Sequence, residues 1–182
     1  MDIKTAIFER RTIHAFNSKK VPEKLIYEAI NAANQAPCHK LTFPWRFYSI
    51  SKSKRNEILK VAIDIKSSKK SLNENSKKII RDKFLNPSHL IVSSQILNKD
   101  KFIEKEDYAA CSCAIQNLAI SLAGNGVNIK WATGDITRNK KIYKILDIDS
   151  KSEEIIGFIW VGYGKKLPEI SRPLINEIYK QI

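Results

Sequence analysis

Residues 105–126, KEDYAACSCAIQNLAISLAGNG, constrain the fold more than any other stretch. Small and apolar side chains fall on nearly every face of a helix there, not along one stripe. Such a helix is stable only when other elements cover it on most sides. Gly124 and Gly126 read as its end, since glycine past a helix takes backbone angles other residues avoid. The rest of the chain must supply the cover.

The cover is legible as alternating helices and strands. IKTAIFER makes a short first helix. VPEKLIYEAINAANQ makes a stronger one, with Leu25, Ile26, Ala29, Ile30 and Ala33 on one face. KSKRNEILKVAIDI turns Ile58, Leu59 and Ala62 inward, and TRNKKIYKILDI reads as a capped helix. Four strands are predicted at WRFYSIS, HLIVSSQIL, VNIKWATG and EEIIGFIWVGYG. Residues 66–88 are polar, rich in Ser, Lys and Asn, and end at a proline. They are expected to form a mobile surface excursion beside the site, helical only at SKKIIRDKF. With no repeat, linker or change of composition, residues 1–182 read as one α+β domain.

Composition narrows the function. At 182 residues, 43% hydrophobic and 28% charged, the chain can bury a full core. Its apolar runs are too short to span a bilayer. MDIKTAIFERR lacks a secretory apolar region, and three cysteines without a CxxC pair give no disulfide framework. These features together predict a cytoplasmic protein. His14, His39 and His89 have no metal-ligand spacing, so no metal site is expected. The net charge of +13 raises a nucleic-acid reading. Residues 52–101 alone carry +8, from thirteen basic and five acidic residues. That run has one aromatic and no nucleic-acid-binding signature, so it reads as a solvated surface.

Three stretches are candidates for chemistry. ERRTIHAF places Arg10, Arg11, Thr12 and His14 within five residues, a set able to wrap a phosphate. Basic residues also simply favour a helix C-terminus. KWATG sets Trp131, Ala132, Thr133 and Gly134 at a strand end, where small residues let backbone N–H groups approach a planar ligand, or where the strand merely exits. QAPCHKL, residues 35–41, is a proline-stiffened polar loop feeding an aromatic strand, a common place for a binding site. No nucleophile–base arrangement or Walker sequence is present, so any difficult chemistry falls to a cofactor.

In this order, RRT, APCHKLTFPW, NIKWATG and EIIGFIWVGYG resemble the FMN-dependent nitroreductase family, in particular its small single-domain bacterial subgroup. The resemblance covers nearly the whole chain except 66–88. It implies a mostly antiparallel sheet of four to five strands flanked by helices, with tail exchange at a homodimer interface. It also implies FMN as cofactor and NADH or NADPH as reductant. A nitroaromatic, quinone or similar electron-poor acceptor would then be reduced by ping-pong hydride transfer through flavin N5. Carried over by position, Arg10, Arg11 and Thr12 would hold the phosphate and ribityl end, with His14 beside them. Gln35, Pro37, Cys38, His39, Lys40 and Leu41 would line the ring and ribityl chain, His39 reaching across from the partner subunit. Trp131, Ala132, Thr133 and Gly134 would follow the isoalloxazine, and Lys165, Lys166 and Arg172 would close over the phosphate. No side chain is expected as a catalytic acid.

Two departures stand out. His14 occupies a position where the family pattern RRSxR has an arginine, which predicts weaker phosphate binding at high pH, where an imidazole is neutral. Phe43 stands where a glutamine often precedes PW, which bears on substrate range. The alternatives are a flavin-consuming enzyme or flavin carrier on the same fold, and a basic nucleic-acid-binding module.

Overall fold

In the computed structural model, which describes residues 1–164 and 166–182, four antiparallel strands form one sheet. β1 (Trp45–Ser49), β2 (His89–Ile96), β3 (Asn128–Ala132) and β4 (Glu153–Gly162) lie in the order β1-β2-β4-β3. The two central strands are buried along almost their whole length. That is why β4 reads as a nearly continuous apolar run, while β2 buries Ser93, Ser94 and Gln95 beside its apolar residues.

Among the described residues, the sheet is accompanied by helices α1 (Ile3–Glu9), α2 (Glu23–Ala33), α3 (Lys52–Ser67), α4 (Glu74–Leu85), α5 (Lys101–Gly124) and α6 (Lys140–Leu146), while a short α7 (Ile175–Ile178) lies in the tail. On one face α2 and α5 bury Ile91, Ile129, Ile156, Ile159 and Val161. On the other, residues of α3, α4 and α6 pack with Leu90, Val92, Ile155, Phe158 and Trp160. A bulge separates the two patterns on β4, where Ser93 pairs with Gly157 and Ser94 with Ile155, skipping Ile156. Gly157 is required there, because a Cβ would meet the Trp131 indole at 2.0 Å.

Helix α5 is the buried centre that its composition demands. Asp100 caps it by accepting from Phe102 and Ile103 N–H, four residues before the expected start. Gly126, at φ 70°, turns the chain into β3. The α2 face is as read, with Ile26, Ala29 and Ala33 buried and Leu25 and Ile30 packed beside them.

The 66–88 excursion differs from expectation in what it buries. Asn73 caps a 12-residue α4, and Ile80 and Phe84 are buried in the core. Phe84 meets Trp160 edge-on at 5.4 Å between ring centroids. Two apolar residues four apart are enough to seat a helix whose remaining surface is mostly polar.

The tail leaves the sheet beyond Gly164. Its apolar residues Leu174, Ile175, Ile178 and Tyr179 are all more than 60% exposed, and nothing in α7 is buried.

Candidate functional site

Arg10 ends α1 with extended backbone, and the chain then docks on β3. Ile13 N–H donates to the Ile129 carbonyl at 3.1 Å, and Thr12 bridges Ile129 in parallel. This fixes Arg10–Thr12 beside the start of β3. Arg11 folds back, its Nη1 donating to the Phe8 and Arg10 carbonyls at 2.7 and 3.0 Å. The tail brings the charge of Arg172 within reach of Arg10. The Arg10 guanidinium is held below its ordinary value by burial first, then by the charges of Arg172 and Arg11. No carboxylate pairs with any of these three arginines among the described residues. Converging guanidiniums with no counter-ion repel one another, and an anion with several oxygens removes the repulsion.

A cleft of about 280 Å³ opens beside Arg10, bounded by Met1, Glu9, Ala123, Asn128, Tyr163 and Leu167, among others. Lys166 lies near His14, Ala15, Pro168 and Glu169 around a shallower recess. Lys165 lies outside the described residues.

A second cleft, of about 350 Å³, gathers His14, Ala132 and Thr133. Gly134 adopts φ 109° at its edge, and its carbonyl accepts from both N–H and Oγ1 of Thr137. The cleft floor is aromatic, with Phe16, Phe84 and Trp160. Lys66, Lys69, Lys83 and Lys130 also line it, from α3, the turn after it, α4 and β3. Burial lowers the Lys130 ammonium from its ordinary value, and the charges of Lys83 and Lys66 lower it further. Lys66 is lowered by burial, Lys83 and Lys70 in that order. The Lys130 amine sits 5.8 Å from the Trp160 ring centroid. The Trp160 indole N–H is buried without a partner.

Sequence reasoning missed these lysines and Trp160 because they come from separate elements, three of the lysines inside a run that reads as solvent-facing. One signal was available for Lys130. It lies two residues before Ala132 on a strand, hence on the same face. Trp131 by the same rule faces the other side, where its indole donates to the Ile156 carbonyl at 3.2 Å and packs against the α2–α5 core. Only its backbone is near Ala132 and Thr133.

The 35–41 loop lies elsewhere. Lys40, Leu41 and Phe43 all take positive φ, at 58°, 52° and 44°. Side chains hold this unfavourable backbone. Phe43 N–H donates to Cys38 Sγ at 3.2 Å, Cys38 Sγ lies 3.2 Å from Thr42 Oγ1, and Thr42 donates to buried Asp107. His39 Nδ1 lies 2.7 Å from Glu106. Pro37, His39, Lys40 and Leu41 are exposed, and Gln35 lines a recess with Met1, Ile3, Ala32 and Asn117. The His39 loop is thus tied to the beginning of α5, near Asp107, whereas Ala123, at its end, borders the Arg10 cleft. At ~1.5 Å rise per residue these anchor points are ~24 Å apart along one helix. The fold does not bring His39 and the Arg10 site together within one chain, whereas Gln35, at the start of the loop, lies near Met1, which also borders the Arg10 cleft.

Comparison with known proteins matches these features. The sequence profile of the nitroreductase family aligns with residues 7–163. The YfhC protein of Bacillus subtilis strain 168, named provisionally as an NAD(P)H nitroreductase, is 28% identical over 173 residues, covering 93% of this chain and 88% of YfhC. A nitroreductase-like family protein from Bacillus cereus superposes with a TM-score of 0.84 at 27% identity, covering 100% of this chain and 96% of its own. A Desulfovibrio desulfuricans protein, provisionally a nitroreductase and solved in complex with FMN, superposes at 0.77 with 18% identity, covering 100% and 97%. With its profile match running from α1 through β4 and its sheet shared with these structures, the chain belongs to the nitroreductase family.

Proposed function

We propose that the protein is an FMN-dependent NAD(P)H oxidoreductase that reduces nitroaromatic, quinone or similar electron-poor acceptors in a ping-pong cycle. The observation that carries this reading is the cluster of Arg10, Arg11 and Arg172 without a carboxylate, beside the same strand β3 that borders a cation-lined aromatic cleft. A phosphomonoester and a flat ring joined by a flexible chain match that pair of environments. The FMN bound to the Desulfovibrio relative and the NAD(P)H in the name of the Bacillus one support the assignment.

In this reading Arg10, Arg11 and Arg172 bind the phosphate, with Lys166 and Thr12 at its margin. His14, Ala132, Thr133 and Gly134 border the ring, which would supply hydride acceptance and two-electron delivery when bound. Lys83 and Lys130, which line the cleft, would supply positive charge to a ring held there and so favour its anionic reduced form. Phe16, Phe84 and Trp160 exclude water from the inner wall.

The loop of Gln35, Pro37, Cys38, His39, Lys40 and Leu41 serves the site of the other copy in a homodimer. The ~24 Å separation along α5 and the exposed apolar tail support this arrangement. The tail would cross to the partner and cover its own apolar residues there.

Flavin extraction from the purified or reconstituted protein tests the reading. About one FMN per subunit is expected, intact after repeated NAD(P)H-driven turnover of a quinone. FAD, no flavin after reconstitution, or flavin destroyed in turnover would overturn it. Hybrid dimers test the shared site. Arg10→Ala and a disruptive His39 variant, each inactive through loss of FMN, should recover roughly a quarter of wild-type activity when refolded together. A hybrid as inactive as its parents, under conditions where wild type refolds, would place the whole site within one chain.

A further inference from the structure

The charge of the cleft exceeds what a flavin ring uses. Four lysines and one acid, Asp135, line it, a net of +3. Asp135 is already engaged by Lys69 and by Arg138, whose Nη2 lies 3.5 Å away. Lys66, Lys83 and Lys130 have no carboxylate partner among the described residues. A reduced flavin carries one ring charge, which Lys83 and Lys130 suffice to face. The phosphate charge belongs to the arginines.

Lys66 is left over. It lies in the last turn of α3, where the helix dipole favours a cation, which accounts for a lysine at that position. The dipole does not account for its direction. The side chain is turned over the cleft, close enough to Lys83 for the two charges to oppose each other. Beneath it lie Ala62, Phe84 and Trp160. A positive rim above low-dielectric walls focuses its field on whatever enters.

We propose that the acceptor carries a negative charge, as a carboxylated or sulfonated nitroaromatic or quinone, and that Lys66 selects for it. This rests on the oxidoreductase reading above. The charged substituent is a recognition element and does not react. A nitro group takes two electrons from NAD(P)H as hydride, plus one proton from solvent, to give nitroso compound and water. The sulfonate or carboxylate is unchanged.

The FMN-loaded protein tests this with an isosteric pair, 4-nitrobenzenesulfonate and 4-nitrobenzenesulfonamide. The ratio of their kcat/KM values is compared between wild type and variants, so intrinsic reactivity cancels. Lys66→Gln should lower the sulfonate-to-sulfonamide ratio by about three- to fivefold, the size of one partly screened charge pair. Lys66→Glu should lower it further, by about tenfold, and the wild-type ratio should fall with added salt. Lys60→Gln, on the same helix but away from the cleft, should leave it unmoved. Calorimetry provides a readout without turnover, since benzenesulfonate should bind the oxidised protein more weakly once Lys66 is replaced. A ratio unmoved by Lys66 substitution, with the sulfonamide reduced normally, overturns the proposal and leaves the oxidoreductase reading intact. So does an effect confined to NADPH against NADH, which would assign Lys66 to the reductant's extra phosphate. Failure to reduce either compound, or any neutral quinone, overturns both.

Discussion

The arginine cluster and the lysine cleft are both positive, both short of acids, and close together, yet they are built from different cations in different surroundings. Arg10, Arg11 and Arg172 come from a helix end and from the tail, and their planar forks stay charged at any working pH. Lys66, Lys83 and Lys130 come from the helical layer and the sheet, over aromatic rings, and burial makes the charges of Lys66 and Lys130 easier to lose. A permanent dianion needs the first kind of site. A ring whose charge changes during turnover needs the second, because a cation that is already poorly solvated gains most when negative charge appears beside it.

The comparison can be broken at its scaffold first. Phe84 walls the lysine cleft and belongs to the core, so Phe84→Ala should cost about 3–5 kcal/mol of unfolding free energy in denaturant titration. A loss below about 1 kcal/mol would mean that α4 is a loosely held flap and the cleft no fixed feature.

Next is the phosphate end. Arg10→Ala should weaken FMN binding by about 2–5 kcal/mol in a fluorescence titration, while Arg138→Ala, exposed beside Asp135, should cost little. Equal affinity in the two variants would move the phosphate elsewhere. Arg10→Lys sharpens the contrast between the two cations. If fork geometry matters, lysine restores only part of the affinity and leaves a loss of about 1–2 kcal/mol. Full recovery would make the cluster a simple pool of charge.

The smallest effect is expected at Lys130. Its lowered value means that the unfolded chain holds this proton more tightly than the native one. The charged lysine therefore opposes folding at neutral pH. That cost fades as pH rises through the lowered value toward the ordinary lysine range. The apo form of Lys130→Met should melt no lower than wild type at pH 7, and any advantage should shrink as the pH is raised toward 10. A variant clearly less stable at pH 7 would show that the amine has a favourable partner.

Much of the architecture was legible beforehand. The four strands and the helices α1, α2, α3, α5 and α6 follow from local patterns that no tertiary contact overrides. The Asn139 cap of α6 and the Asp100 cap of α5 are local too, since each side chain accepts from N–H groups two or three residues ahead. Helix α4 was only half legible because its ratio of lysine to apolar residues is that of a surface segment. Two buried positions, Ile80 and Phe84, decided the matter, and they do so only against Trp160 and the neighbouring core. Arg10, Arg11, Thr12, His14, Ala132 and Thr133 could be picked out as candidates because each stretch keeps its basic, hydroxyl or small residues within a few positions.

Spacing along the chain is enough to mark the four strands and α1, α2, α3, α5 and α6, the buried face of α2, the interior place of α5, and a phosphate-compatible set at the end of the first helix. Only the tertiary structure decided that Arg172 joins Arg10, that lysines from α3, α4 and β3 converge over Trp160, and that Trp131 turns away from them. It also decided that the His39 loop and the Arg10 site sit at opposite ends of α5. These are relations between residues tens of positions apart, fixed by how the two helical layers close on the sheet, and local periodicity carries no record of them.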